Sequence, residues 1–188
     1  MTKKLTNTIK EKYGKYSSWT LWDKNNRANM DGVNDTNLIE KLNTDYVFVA
    51  LNCSSPADKI DFPIFGNFHS KDANIKKFCE ALENTKFQGC YITDIIKCFN
   101  ESKSEILSKY LKKNPEYEKN QIRVFKEEIA HFGKPVLLAL GKTTYNILKR
   151  NHTNDEFQVV YIWHYSCRKN STFYKEKIKK QLQENNLW

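Results

Sequence analysis

A chain of 188 residues suits one domain with a buried core, and its 13% aromatic content and scarce Gly and Pro exclude a disordered or fibrous protein. Its formal net charge of +9 favours phosphate backbones or other anionic surfaces as partners, with a solvated Lys-rich surface as the plain alternative. Five Cys with no C-x-x-C pair, a polar start and no apolar run longer than six residues argue against a disulfide framework, a zinc site, a secretory leader and a membrane span, and predict a cytoplasmic protein.

In chain order, the first 45 residues are the least regular. Helices are expected at Leu5 to Tyr13 and Thr36 to Leu42, with a polar, Asn-rich loop from Asp23 to Asn37 between them. Four short apolar runs then read as strands: Tyr46 to Leu51, Cys90 to Ile96, Pro135 to Leu140 and Val159 to Trp163. They are near-continuous rather than alternating, the pattern of a parallel sheet covered on both faces.

Helical segments separate the strands. Ser70 can cap a helix carrying Ile75, Phe78, Cys79 and Leu82 on one face. Ser104 to Lys112 forms a second, which stops before Pro115. A third places Ile122, Phe125, Ile129 and Phe132 on one stripe and ends at Gly133 and Pro135. Thr143 opens a short helix, and Ser171 can cap the last one, with Tyr174, Ile178 and Leu182 inward and Lys175, Lys177, Lys179 and Lys180 outward. Strands alternating with helices predict an α/β chain, residues 1–188 in a single domain: a three-layer α-β-α sandwich around a four-stranded, mainly parallel sheet.

In such sheets ligands bind beyond the carboxyl ends of the strands. All four predicted strands carry polar residues at that end: Asn52-Cys53-Ser54-Ser55 after the first, Thr93, Asp94 and Lys97 in and after the second, Gly141-Lys142-Thr143-Thr144 after the third, and His164 to Asn170 after the fourth. Their convergence is a site signal, although each alone also suits a turn or a helix cap. Gly141-Lys142-Thr143 has the tail of a phosphate-binding loop, but the motif's first Gly would fall at Val136, inside a strand. What remains is a helix N-terminus able to bind one backbone phosphate.

Several segments carry a family resemblance. Ala50-Leu51-Asn52-Cys53-Ser54-Ser55-Pro56 resembles the G-x-N-P-G motif of uracil-DNA glycosylases, and His164-Tyr165-Ser166-Cys167-Arg168-Lys169-Asn170 is similar to their H-P-S-P motif. Tyr91 to Cys98 resembles their Y-I-T-N-x-x-K-C segment, Phe62-Pro63-Ile64-Phe65-Gly66 their P-F-G segment, and Pro135 to Asn146 their third strand and G-x-x-A turn. Both first-named motifs lack their prolines here. The resemblance implies a DNA glycosylase that flips uracil or another deaminated or modified base into a pocket and hydrolyses its N-glycosidic bond, binding duplex or single-stranded DNA.

By the same resemblance Asn52 positions the attacking water and His164 donates to the base oxygen on which charge develops. Phe65 stacks on the base, and Asn67 and Asp94 complete the base-binding set. Ser54, Lys142, Thr143 and Ser166 grip phosphates, while Arg168 and Lys169 lie on the loop that wedges into the vacated stack. No metal or cofactor is implied: the family's cluster-binding branch has a close Cys pair that this chain lacks. A protein inhibitor or partner is a further candidate.

Ordinary structural roles compete with these: His164 as a histidine bonded to backbone, Asn52 as a turn residue, Phe65 as core. Asp94 stands where the family commonly has Asn. A carboxylate only accepts hydrogen bonds, so the choice of uracil over other bases is open. The altered first motif also admits a glycosylase-like protein that binds DNA or a nucleotide without cleaving it, and a small-molecule nucleoside hydrolase is a third reading.

Overall fold

The computed structural model describes residues 3–23, 26, 28, 36–53, 63–70, 72–97, 99 and 101–188. In chain order the elements are α1 (Lys3–Tyr13), β1 (Ser17–Trp19), a 3-10 helix (Thr36–Lys41), β2 (Asn43–Asn52), α2 (Ala73–Leu82), β3 (Cys90–Ile96), α3 (Ser104–Lys113), α4 (Pro115–Ala130), β4 (Val136–Leu140), α5 (Lys142–Arg150), a 3-10 turn (Thr153–Asp155), β5 (Val159–Ile162) and α6 (Ser171–Gln183).

The strands form one sheet in the order β1-β3-β2-β4-β5. β2, β3, β4 and β5 run parallel, and β1 is antiparallel to β3 through Ser17–Thr93, Ser18–Ile92 and Trp19–Tyr91. The expected three-layer α/β sandwich is present, with five strands instead of four. β1 has only three residues, two of them serines buried because their hydroxyls donate to backbone carbonyls, Ser17 Oγ to Tyr13 and Ser18 Oγ to Phe65.

Each apolar run serves two cores by alternation. Val47, Val49, Tyr91, Ile95, Leu137 and Ala139 face a cluster that includes residues of α1, α3, α4 and α5. Phe48, Ala50, Ile92, Leu138, Leu140, Val160 and Ile162 face the opposite cluster, with Phe78 and Leu82 of α2 and Tyr174, Ile178 and Leu182 of α6. Phe48 meets Phe78 edge-on at 5.2 Å, and burying each such ring contributes roughly 1.5–3 kcal/mol.

Local starts and stops differ from the expectation in small ways. Asp72, not Ser70, caps α2, accepting the Asn74 N–H at 2.6 Å. Asn170, not Ser171, caps α6, accepting the Phe173 N–H at 2.9 Å. The segment expected as a helix from Thr36 to Leu42 is a 3-10 helix, and Phe132 lies beyond the end of α4. Among the described residues no helix is long and apolar enough to cross a membrane.

Beneath β3 lies a buried polar cluster that no sequence pattern announced. Lys97, just past β3, places its ammonium 2.5 Å from a Glu128 carboxylate oxygen on α4, both side chains almost wholly buried. Lys97 also donates to Thr93 Oγ1 and to the Asp94 carbonyl, and Glu128 accepts from Tyr91 and Thr93 hydroxyls at 2.7 and 2.9 Å. A buried charge is tolerable only when it is paired and hydrogen-bonded in this way.

Candidate functional site

A cavity of about 600 Å3 opens at the carboxyl ends of the parallel strands, bordered by residues of α2, the start of α3 and the first turn of α5. Asn52 from β2, Asp94 from β3, Gly141, Lys142 and Thr143 after β4, and His164 and Ser166 after β5 line it, joined by Asn67 and Phe68 from the 63–70 loop. The parallel β-α connections place these ends side by side, so residues far apart in sequence share one wall.

Asn52 is held by its amide nitrogen. That atom lies 3.1, 2.8 and 2.8 Å from the carbonyl oxygens of Cys53, Phe99 and Glu101. Carbonyls only accept, so this end of the side chain must be NH2, and Oδ1 is the end left to accept from a water.

His164 is half-buried. The backbone N–H of Ser166 donates to its Nδ1 at 3.1 Å, and Ser166 Oγ lies 2.8 Å from the same atom. A backbone N–H cannot accept, so the neutral ring carries its proton on Nε2. Burial lowers the imidazole pKa to about 4, which keeps the ring neutral near pH 7. Its ring lies against Tyr165, centroids 4.3 Å apart. The loop carrying it is tied to α2 by Lys77, whose ammonium donates to the Cys167 carbonyl at 2.7 Å.

Asp94 is fully buried, and its Oδ2 accepts from Asn67 Nδ2 at 2.7 Å. Its Oδ1 is buried with no hydrogen-bond partner among the described residues. Burial, the largest cause, and the nearby Glu128 raise the carboxyl pKa, while the Asn67 bond and Lys97 lower it; the balance is about 7.

Gly141 adopts φ +90°, and a β-carbon there would stand 3.4 Å from His164 Cβ. With ψ at 159°, this backbone conformation is open essentially to glycine, and a side chain there costs about 1–3 kcal/mol. Gly141→Ala is therefore expected to destabilise the fold by about that amount through its backbone, which thermal unfolding would report. Gly141 also leaves the first turn of α5 without a side-chain cap, so an anion can meet its N–H groups at the cavity wall.

The structure thus brings Asn52, Asn67, Asp94, Lys142, Thr143, His164 and Ser166 together. Arg168 and Lys169 are exposed on the loop that follows His164, outside the cavity lining, and Ser54 lies outside the described residues. Phe65 is corrected. Its backbone, at φ +66°, donates to the Gly14 carbonyl, and its ring is buried edge-on against Trp19 in the core cluster that also holds Ile9 and Tyr13 of α1, facing away from the cavity. Phe68, three residues on, lines the cavity instead. Phe68 and Tyr165 were missed as site residues. Their signal was an aromatic beside a polar site residue, Asn67-Phe68 and His164-Tyr165.

The family model described as the uracil DNA glycosylase superfamily matches residues 64–185. No curated protein and no solved structure matches the chain.

Proposed function

Because the chain belongs to the uracil DNA glycosylase superfamily, we propose that it is a DNA glycosylase that hydrolyses the N-glycosidic bond of a base flipped into the cavity. The observation that carries this reading is the Ser166 N–H donating to His164 Nδ1 at 3.1 Å, which leaves Nε2 to carry the proton of the neutral ring, at the cavity wall with Asn52.

In the reaction the C1′–N bond breaks with its electron pair leaving on the base, and the sugar becomes oxocarbenium-like. His164 Nε2–H donates to the base oxygen on which negative charge grows, a donor already oriented by the Ser166 contacts at Nδ1. Asn52 Oδ1 accepts from a water and aims its oxygen at C1′; as the new C–O bond forms, the water's proton passes to solvent and the departing base anion takes one up. The products are a free base and an abasic site. Phe68 supplies the apolar face for the base, while Lys142, Thr143 and Ser166, with Arg168 and Lys169 outside, hold the phosphates. No step needs a metal or redox cofactor.

The test is incubation with duplex and single-stranded oligonucleotides carrying uracil, hypoxanthine, xanthine or modified pyrimidines, followed by alkaline strand cleavage. Wild type should generate abasic sites on at least one substrate, and Asn52→Ala should lower the rate by about 10²-fold or more. Absence of cleavage on every substrate would reject the activity, and tight salt-dependent DNA binding in that case would favour the non-cleaving reading.

A further inference from the structure

Resting on the glycosylase reading, we propose that the cavity selects a base presenting an exocyclic amino group beside its ring nitrogen, a cytosine-type edge, over the oxo edge of uracil. Asp94 and Asn67 are the residues that set this choice.

The argument is a count of donors. Asp94 sits in β3 opposite Ala50 of β2, and both line the cavity. Its Oδ2 is engaged by Asn67, whereas Oδ1 is a buried oxygen with no partner among the described residues. Asn67 spends its amide nitrogen on that carboxyl and on the Tyr16 carbonyl at 3.2 Å, so the end it has left is Oδ1, an acceptor. Lys97 is the cation nearest in sequence. Its ammonium is committed to Glu128, to Thr93 Oγ1 and to the backbone oxygen of Asp94, not to the Asp94 carboxyl. The pair therefore offers acceptors and, while the carboxyl is ionised, no donor.

An amino group is the complement: two N–H donors on one atom, with the ring nitrogen beside it able to accept if the carboxyl carries a proton. A cytosine-type edge thus suits the carboxyl in either protonation state. Uracil offers N3–H to the carboxylate, but its O4 finds no donor on this pair unless the carboxyl carries a proton. An Asn in place of Asp94 would supply that missing donor.

The test compares wild type and Asp94→Asn on single-stranded oligonucleotides containing uracil, cytosine, 5-methylcytosine or adenine. At a pH well above 7, where the carboxyl is ionised, wild type is expected to cleave an amino-edged base over uracil by about 10- to 200-fold, the scale of one buried polar group left unpaired. Asp94→Asn is expected to reverse the order. Uracil cleaved by wild type as fast as or faster than every amino-edged base, or a ratio unmoved by the substitution, overturns the proposal and leaves the glycosylase reading standing. The wild-type ratio decides the point even if the variant does not fold. If no oligonucleotide is cut, the glycosylase reading fails, and calorimetric titration with free cytosine and free uracil decides this one: tighter cytosine supports it, while equal, reversed or undetectable binding overturns it.

Discussion

Replacing His164 with alanine is expected to lower the rate of base release by about 10²- to 10³-fold with little change in DNA affinity. That is the usual cost of removing one preorganised donor from a developing oxyanion. The donor must be uncharged to work as drawn here, and its pH dependence follows. With a folded pKa near 4, the ring is neutral at any ordinary pH, so the His164 contribution should be flat from about pH 6 upward and fade only as pH approaches 4. A rate that falls with rising pH through 6.5 in Asp94→Asn as well as in wild type, and not in His164→Ala, would mean that a protonated ring does the work. Stability gives a second readout. The unfolded imidazole takes up its proton near pH 6.5 and the folded one only near 4, so the unfolded state binds more protons in that window and stability falls as pH drops through it. Asp94 acts in the opposite sense. Its folded pKa of about 7 lies above the ordinary 3.8, so the folded state holds the extra proton and stability falls as pH rises from about 4 to 7. The two slopes oppose each other, and His164→Ala should leave the Asp94 slope exposed: a variant steadily less stable from pH 4 to pH 7.

Lys97→Met is the second large effect, this time on the fold. It removes the ammonium that sits 2.5 Å from Glu128 and leaves a carboxylate at zero exposure with only two hydroxyl donors. Breaking a buried pair from one side costs about 3–5 kcal/mol, a large part of the stability of a domain of this size. Urea unfolding should show the midpoint falling sharply with the slope unchanged. The double variant Lys97→Met with Glu128→Gln should recover part of the loss, because a neutral amide no longer needs the cation. A single variant within about 1 kcal/mol of wild type would show that the pair is not the support described. Since Lys97 also holds the Asp94 carbonyl, base selection should weaken in the same variant.

What could be read from the sequence divides along physical lines. A parallel sheet covered on both faces must write its strands as apolar runs and must turn polar where they end, so β2 to β5 and the positions of Asn52 and His164 were legible. β1 was not, because Ser17 and Ser18 are buried through hydroxyl bonds to backbone carbonyls, of nearby Tyr13 and distant Phe65, which no hydropathy pattern carries. Phe65 and Phe68 illustrate a second limit. In irregular backbone there is no period to say which of two nearby buried aromatics borders the cavity: Phe65 packs in the cluster with Trp19, and Phe68 in the opposite cluster at the cavity wall. The Asn67–Asp94 and Lys97–Glu128 pairs join residues 27 and 31 positions apart, and such partners become visible only in three dimensions.

The strand order has a consequence for how firmly each part of the site is held. β2 and β3 each have a neighbour on both sides, while β5 closes the sheet and is paired only with β4, through four residue pairs from Leu137–Val159 to Leu140–Ile162. Asn52 and Asp94 therefore ride on interior strands, and His164 hangs two residues beyond the end of a rim strand. Excursions that fray β5 with α6 require less of the molecule to open than any that release β3. In such a state the reading surface formed by Asp94 and Asn67 persists while the imidazole is withdrawn. Under the proposed mechanism the base-reading pair and the water-holding Asn52 would then share the longer-lived part of the sheet, with the His164 donor alone on the part that opens more readily.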